Sequence, residues 1–301
     1  MLPIRFFPDN TNINFVKLKN INYFISVALV LVSFVLLATK GLNLGVDFAG
    51  GVVVEASIED PGFKVSDLRK HLEDSQIAEF TLSNSNNPNE ITLTIGETKQ
   101  DTQVELIDNI KAVVSSKYLK VNYNRVDFVG PKVGAELIMN GIIATIAGFI
   151  GIMIYIWSKF DLEYSIGAVL SLVHDAILTL GFYSLTGLEF DLTSIAVILT
   201  VIGYSVNDCV VIFDRIRDNF RIFFKLPQYE IINKSINETL SRTTLTVATT
   251  MLANLALVLF GAAVIKSFSI AMLFGIAVGT YSSIFIAAPI LVDLKKKMAR
   301  S

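Results

Sequence analysis

Apolar residues in this chain gather into long runs separated by segments in which polar and apolar positions alternate over shorter periods. The first run covers 21–39, a largely polar stretch follows, and further runs at 137–157, 165–185, 193–213, 244–260 and 268–292 take up most of the rest. A hydrocarbon core about 30 Å thick needs roughly 20 apolar residues as helix, so each run is long enough to cross it. The pattern predicts six transmembrane helices, with one soluble domain between the first and the second. The first run follows Arg5, Lys17 and Lys19 but exceeds a typical signal h-region and lacks a small-residue cleavage site, so it is expected to be retained.

Within the polar stretch, a β-branched run at 52–58 predicts a strand, and Val65, Leu68 and Leu72 recur at helical spacing. Short strands are expected at 79–83 and 90–95, split by the turn-rich SNSNNPN segment. Val104, Ile107, Ile110 and Val114 mark a second helix, and 119–129 alternates like a strand. Strand, helix, strand, strand, helix, strand is the split βαβ order of ferredoxin-like α+β domains.

Composition agrees with a membrane protein. Of 301 residues 52% are apolar and 17% charged, and the mean hydropathy is +0.58. A formal net charge of -2 gives no basic footprint for nucleic acid. One cysteine, Cys209, excludes an intrachain disulfide and a cysteine metal cluster.

Charge in the short loops orients the helices. Basic residues precede helix 1, fill the link between helices 4 and 5 (Arg215, Arg217, Arg221, Lys225, Lys234, Arg242) and end the chain (Lys295, Lys296, Lys297, Arg300). The link between helices 3 and 4 carries Glu189 and Asp191 without Lys or Arg, and the link between helices 5 and 6 has only Lys266. Both termini are therefore expected in the cytoplasm. The layout is a cytoplasmic segment at 1–20, helix 1 at 21–39, an external α+β domain at 40–135, helices 2 to 6 within 136–292 and a basic tail at 293–301. Residues 214–242 mix charge with Phe220, Ile222, Phe223, Phe224, Ile231, Ile232 and Ile236, which predicts an amphipathic cytoplasmic helix lying at the interface or serving as a docking surface.

Ionisable groups inside a transmembrane helix are costly, about 2.5 to 3.5 kcal/mol on insertion scales, and mark function. Asp208 lies within the fourth run, with Thr200 and Tyr204 on its face and Ser205 three positions back. Such a carboxylate is a candidate to bind and release a proton; a static interhelical bond is the alternative. Arg242, expected to open helix 5, continues into Thr246, Thr249 and Thr250. It is a permanent cation for a neighbouring carboxylate, or an ordinary boundary arginine. His174 and Asp175, mid-helix 3 between Ser171 and Thr179, serve transport or structure. Gly45, Gly50 and Gly51 resemble a Gly-rich loop, but no P-loop lysine follows, and close chain packing explains them better. No arrangement of serine, histidine and acid suggests hydrolysis, so the chain is not expected to be an enzyme.

The motifs GLNLGVDFAGG, FVGPKVGAEL, LVHDAILTLGFYSL, GYSVNDCVVIFDRIRDN and LSRTTLTVATT together resemble the SecD/SecF family of bacterial protein-export proteins, in its SecF type. They span nearly the whole chain in the expected order. The resemblance implies half of a pseudo-symmetric resistance-nodulation-division-like bundle, completed by a SecD partner. It implies association with the SecYEG channel in the inner membrane, and use of the proton motive force to complete preprotein translocation after the ATP-driven steps of SecA. YajC and YidC are candidate neighbours, and no cofactor or metal is implied. The proton-coupling aspartate of the family falls on Asp208 and its arginine on Arg242, with His174, Asp175, Tyr204, Ser205 and Asn207 as candidates for coupling support. A drug or lipid exporter of the wider superfamily normally carries about twelve helices and two large insertions; a passive scaffold would leave Asp208 and Arg242 as structural glue.

Overall fold

The computed structural model describes residues 8, 11–60, 62–75, 77, 80–84, 89–96, 103–261 and 263–298. Arg5, the middle of the SNSNNPN turn (85–88), Arg300 and the side chains of Lys295, Lys296 and Lys297 lie outside the described residues. A 3-10 turn at Val16–Leu18 leads into α1 (Lys19–Thr39), then β1 (Asn43–Leu44) and α2 (Val46–Ala49). The soluble domain comprises β2 (Gly51–Ile58), α3 (Val65–Asp74), β3 (Phe80–Asn84), β4 (Glu90–Ile95), α4 (Gln103–Lys117) and β5 (Val121–Val129). Next come α5 (Pro131–Lys159), α6 (Leu162–Thr186), β6 (Glu189–Phe190), α7 (Leu192–Ile222), α8 (Gln228–Phe260), α9 (Ala263–Ser282), a π-helical turn at Ser283–Ala287 and α10 (Ile290–Met298).

The domain has the expected order of elements. Its sheet runs β3-β4-β2-β5 with every neighbouring pair antiparallel. β2 and β3 are therefore parallel with β4 between them, the split βαβ arrangement. Alternation in β4 sends Ile91, Leu93 and Ile95 into a core with Leu68 and Leu72 of α3 and Ile110 and Val114 of α4. The opposite sheet face carries Val53, Glu55, Thr92, Thr94 and Arg125, which line a cavity shared with Tyr183, Glu189 and Asp191 at the domain end of the helices.

Gly50 and Gly51 lead into the first domain strand, both at positive φ (75° and 130°). A Cβ on Gly51 would lie 2.2 Å from the Ile95 carbonyl oxygen, so the chain passes closer to β4 than any other residue allows.

Among the described residues, six helical segments are long and apolar enough to cross a membrane, the last being α9, the π turn and the start of α10 together. Their burial is uneven: the most apolar stretches of α6 and the last span are 56% buried and that of α7 50%, against 6% for α5 and 17% for α8. α6, α7 and α9 form the bundle centre, while α5 and α8 present open apolar faces.

Residues 214–242 do not form a helix lying at the interface. α7 continues to Ile222 and α8 begins at Gln228, so the segment is two helix extensions joined by a short turn. Ile216, Ile231, Ile232 and Ile236 are buried between them, while Ile222 and Phe224 at the turn stay exposed. Polar pairs close the hairpin: Asn219 Nδ2 donates to Ser235 Oγ at 2.9 Å and Arg215 Nε to Glu238 Oε2 at 2.6 Å. Arg242 accordingly lies in the middle of α8 and does not open it.

Candidate proton-coupling site

Asp208 sits on α7, 2% exposed, and its Oδ2 has no hydrogen-bond partner among the described residues. A buried carboxylate oxygen without a donor is costly and needs a proton, a cation or a partner to settle it. The charge acting on it is that of Arg242 across the contact between α7 and α8, yet no ion pair joins the two among the described residues. Tyr204, one turn before Asp208, reaches α8 instead: its hydroxyl donates to the Thr246 carbonyl at 2.9 Å and lies 2.7 Å from Thr250 Oγ1. α8 carries both Thr246 and Arg242, so this contact fixes the register of the two helices beside the carboxylate. Thr200, Gly203 and Asn207 are exposed along one face of α7. An exposed amide at this depth has no water to bond in a bilayer.

Asp175 is fully buried in α6 and the structure places it in a network of its own. His174 Nδ1 lies 3.0 Å from Asp175 Oδ1, Ser205 Oγ donates to Oδ2 at 2.6 Å, and Ser282 Oγ lies 2.8 Å from the same oxygen. Ser171 Oγ donates to Ser282 Oγ at 2.8 Å. Ser283 donates to the Ser205 carbonyl at 3.3 Å and lies 3.3 Å from Cys209 Sγ. His174 Nε2 is buried without a partner among the described residues. The structure thus separates the expected residues into two groups. Asp208, Tyr204 and Arg242 belong to the side facing α8, and His174, Asp175 and Ser205 to the bundle centre.

Ser282 and Ser283 complete this network and are absent from the residues expected from sequence. They flank the start of the π turn, whose wider winding presents consecutive hydroxyls to α6 and α7. A pair of serines inside an apolar run was the available signal. Gly279, one turn earlier, lets the segment close in, since a Cβ there would lie 3.2 Å from Ser205 Cβ.

Residues 109–297 match the model for the C-terminal region of the protein export membrane proteins SecD/SecF, and residues 35–61 match the SecD/SecF GG motif. The chain belongs to the SecD/SecF family. Among family members, the protein translocase subunit SecF of Rickettsia felis is 47% identical over 290 residues, 96% of this chain and 94% of that one. The SecF subunit of Rickettsia bellii is 46% identical over 296 residues, covering 98% and 97%. The crystal structure of SecDF, a translocon-associated membrane protein from Thermus thermophilus, superposes with a TM-score of 0.84 at 33% identity over 97% of this chain. A super-membrane-facing form of SecDF gives 0.72 at 32% identity. In both, the present chain spans 40% of the SecDF chain. Within the SecD/SecF family it is of the SecF type, a multi-pass transport protein.

Proposed function

We propose that this chain is the SecF-type half of a proton-driven export complex of the inner membrane, its termini cytoplasmic and its α+β domain outside. A SecD-type chain supplies the second six-helix half, and the pair works with the SecYEG channel to complete preprotein translocation after the ATP-driven steps of SecA. The observation that carries this reading is the buried Asp208 oxygen without a donor, in the field of Arg242 but not paired with it. Such a carboxylate has a place for a proton, and a charge nearby that senses its loss. The open faces of α5 and α8, and the small and polar face of α7 at Thr200, Gly203 and Asn207, support a second half packed there.

Two protonation states of Asp208 that favour different helix packings would link proton passage to movement on the external side. Each proton contributes about 2.3 kcal/mol per 100 mV, enough to shift a two-state equilibrium several-tenfold. The deciding experiment is preprotein translocation into vesicles, with and without a proton gradient, for wild type and Asp208→Asn. The variant is expected to lose the gradient-dependent increment while keeping the ATP-driven rate and co-purification with the SecD-type partner. An undiminished response to the gradient would leave Asp208 a structural residue.

A further inference from the structure

The Gly-rich segment at 41–51 lies far from Asp208, yet it is tied at many points to the end of the helix that carries it. β1 pairs in parallel with β6, Asn43 opposite Glu189 and Leu44 opposite Phe190. Gly45 N–H donates to the Phe190 carbonyl at 2.9 Å, and Asn43 Nδ2 to the Gly187 carbonyl at 3.0 Å. Phe48 is buried against Phe190, whose ring meets Tyr183 edge-on at 5.3 Å. Gly45 packs closely here: a Cβ would lie 2.7 Å from Glu189 Oε1, the movable end of that side chain, and 3.2 Å from Asp191 Cβ.

Asp47 makes the contact that matters most. Its Oδ2 accepts the backbone N–H of Leu192, the first residue of α7, at 3.1 Å. The same helix end is already capped from within, Asp191 Oδ1 accepting the Ser194 N–H at 2.9 Å and Ser194 Oγ accepting the Asp191 N–H at 3.1 Å. Two carboxylates from separate segments therefore sit at the positive end of α7. On its other side the segment runs directly into β2 through Gly50 and Gly51. It also abuts α5, where a Cβ on Gly134 would lie 2.9 Å from the Phe48 carbonyl. α7 is one continuous helix from Leu192 to Ile222, so a shift at Asp208 reaches Leu192 without a break.

The geometry points to Asp47 as a positioning residue of the proton cycle: its carboxylate ties the end of α7 to the segment that runs on into β2, so that displacement of α7 moves the soluble domain. The inference rests on the proposed role of Asp208. A plain helix cap would use the same hydrogen bond, so the test has to separate capping from transmission.

Leu192→Pro removes the N–H from the other side of the contact. Proline is well accommodated at the first position of a helix, and Asp191 before it is already extended (φ -124°, ψ -170°). Asp47→Ala removes the acceptor, whereas Asp47→Asn keeps an oxygen for it. Translocation with and without a gradient, in the full complex, is expected to show a several-fold smaller gradient-dependent increment for Asp47→Ala and for Leu192→Pro. ATP-driven rate and complex yield should stay at wild-type levels, Asp47→Asn should restore most of the increment, and the double variant should be no worse than either single one. A full increment in Asp47→Ala, with the increment lost in Asp208→Asn, overturns the joint alone. Parallel loss of ATP-driven rate and complex yield reduces Asp47 to a cap and also overturns it. A full increment in Asp208→Asn overturns the proton-carrier role beneath it.

Discussion

Ser205 and Asp175 meet across the contact between α6 and α7 at 2.6 Å, three residues from Asp208 along the same helix. Asp175 is fully buried, and its neighbours among the described residues are a histidine and hydroxyls, with no lysine or arginine. Its burial is therefore tolerated through hydrogen bonds. Removing one donor from a buried acceptor costs about 1–3 kcal/mol. Ser205→Ala and Ser282→Ala should each lower the melting temperature of the purified protein in detergent. Because both hydroxyls converge on one oxygen, their effects should not add. An unchanged melting temperature for Ser205→Ala would show that the network does not hold the helices.

A second contact is set by size. A Cβ on Gly181 of α6 would lie 2.2 Å from Ser33 Oγ and 3.1 Å from Ser33 Cα on α1. Small residues let membrane helices approach closely, and overfilling such a contact costs roughly 1–3 kcal/mol. Gly181→Ala should destabilise the protein. Adding Ser33→Gly should recover part of the loss, since it removes the nearest atoms but leaves the backbone where it was. Equal melting temperatures for wild type and Gly181→Ala would place α1 farther from α6.

Glu189, in the turn between α6 and α7, offers a test by pH. Its side chain still reaches solvent, but the chain packed around it desolvates the carboxyl in part and holds it above the usual carboxylate range, and the negative charges of Asp191 and Asp47 push the same way; the Val46 amide and Arg125 oppose this. A carboxyl raised in the folded state binds its proton more tightly there than in the unfolded chain. Its contribution is thus favourable below the ordinary value of about 4.3, and is lost as pH rises through the higher folded value. Glu189→Gln removes that loss and keeps an oxygen for the Val46 amide. The variant should melt higher than wild type at neutral pH, with the difference shrinking as pH falls toward the ordinary carboxylate range. A difference that does not vary with pH would mean that charge at Glu189 is not what the turn resists.

Much of the architecture was legible because it depends on local period. The six apolar runs and the order of the soluble domain's strands and helices follow from spacing, and both are present. The extent of α8 was not, because residues 228–241 are polar on one face and their apolar positions turn back toward α7 across a short turn and so make no continuous apolar run. Depth and polarity singled out Asp208, but not its surroundings. Tyr204 and Ser205 are adjacent, yet about 100° of helical turn sends the first to α8 and the second to α6. The π turn has no sequence period to betray it. Asp47 looked like part of a Gly-rich loop, since its partner is a backbone amide 145 residues away.

Arg242 gives the sharpest prediction about the chemistry of the site. It lies on α8 within the field of Asp208, and its backbone carbonyl accepts from Thr246, whose own carbonyl receives the Tyr204 hydroxyl. The contact between α7 and α8 therefore fixes where the Arg242 backbone stands relative to the carboxylate. A guanidinium keeps its charge at any relevant pH, so its attraction to Asp208 switches only with the proton on the carboxylate. Arg242→Met deletes the charge while keeping an unbranched apolar side chain, and should abolish the gradient-dependent increment of translocation as Asp208→Asn does. Arg242→Lys keeps the charge but loses the planar fork, and should retain a fraction of the increment. Because one interaction is removed in each case, Asp208→Asn combined with Arg242→Met should be no worse than either alone. Translocation measured at several gradient strengths distinguishes the cases. If Arg242→Met responds to the gradient as wild type does, the charge on α8 has no part in the cycle, and Asp208 must exchange its proton against a group on the partner chain.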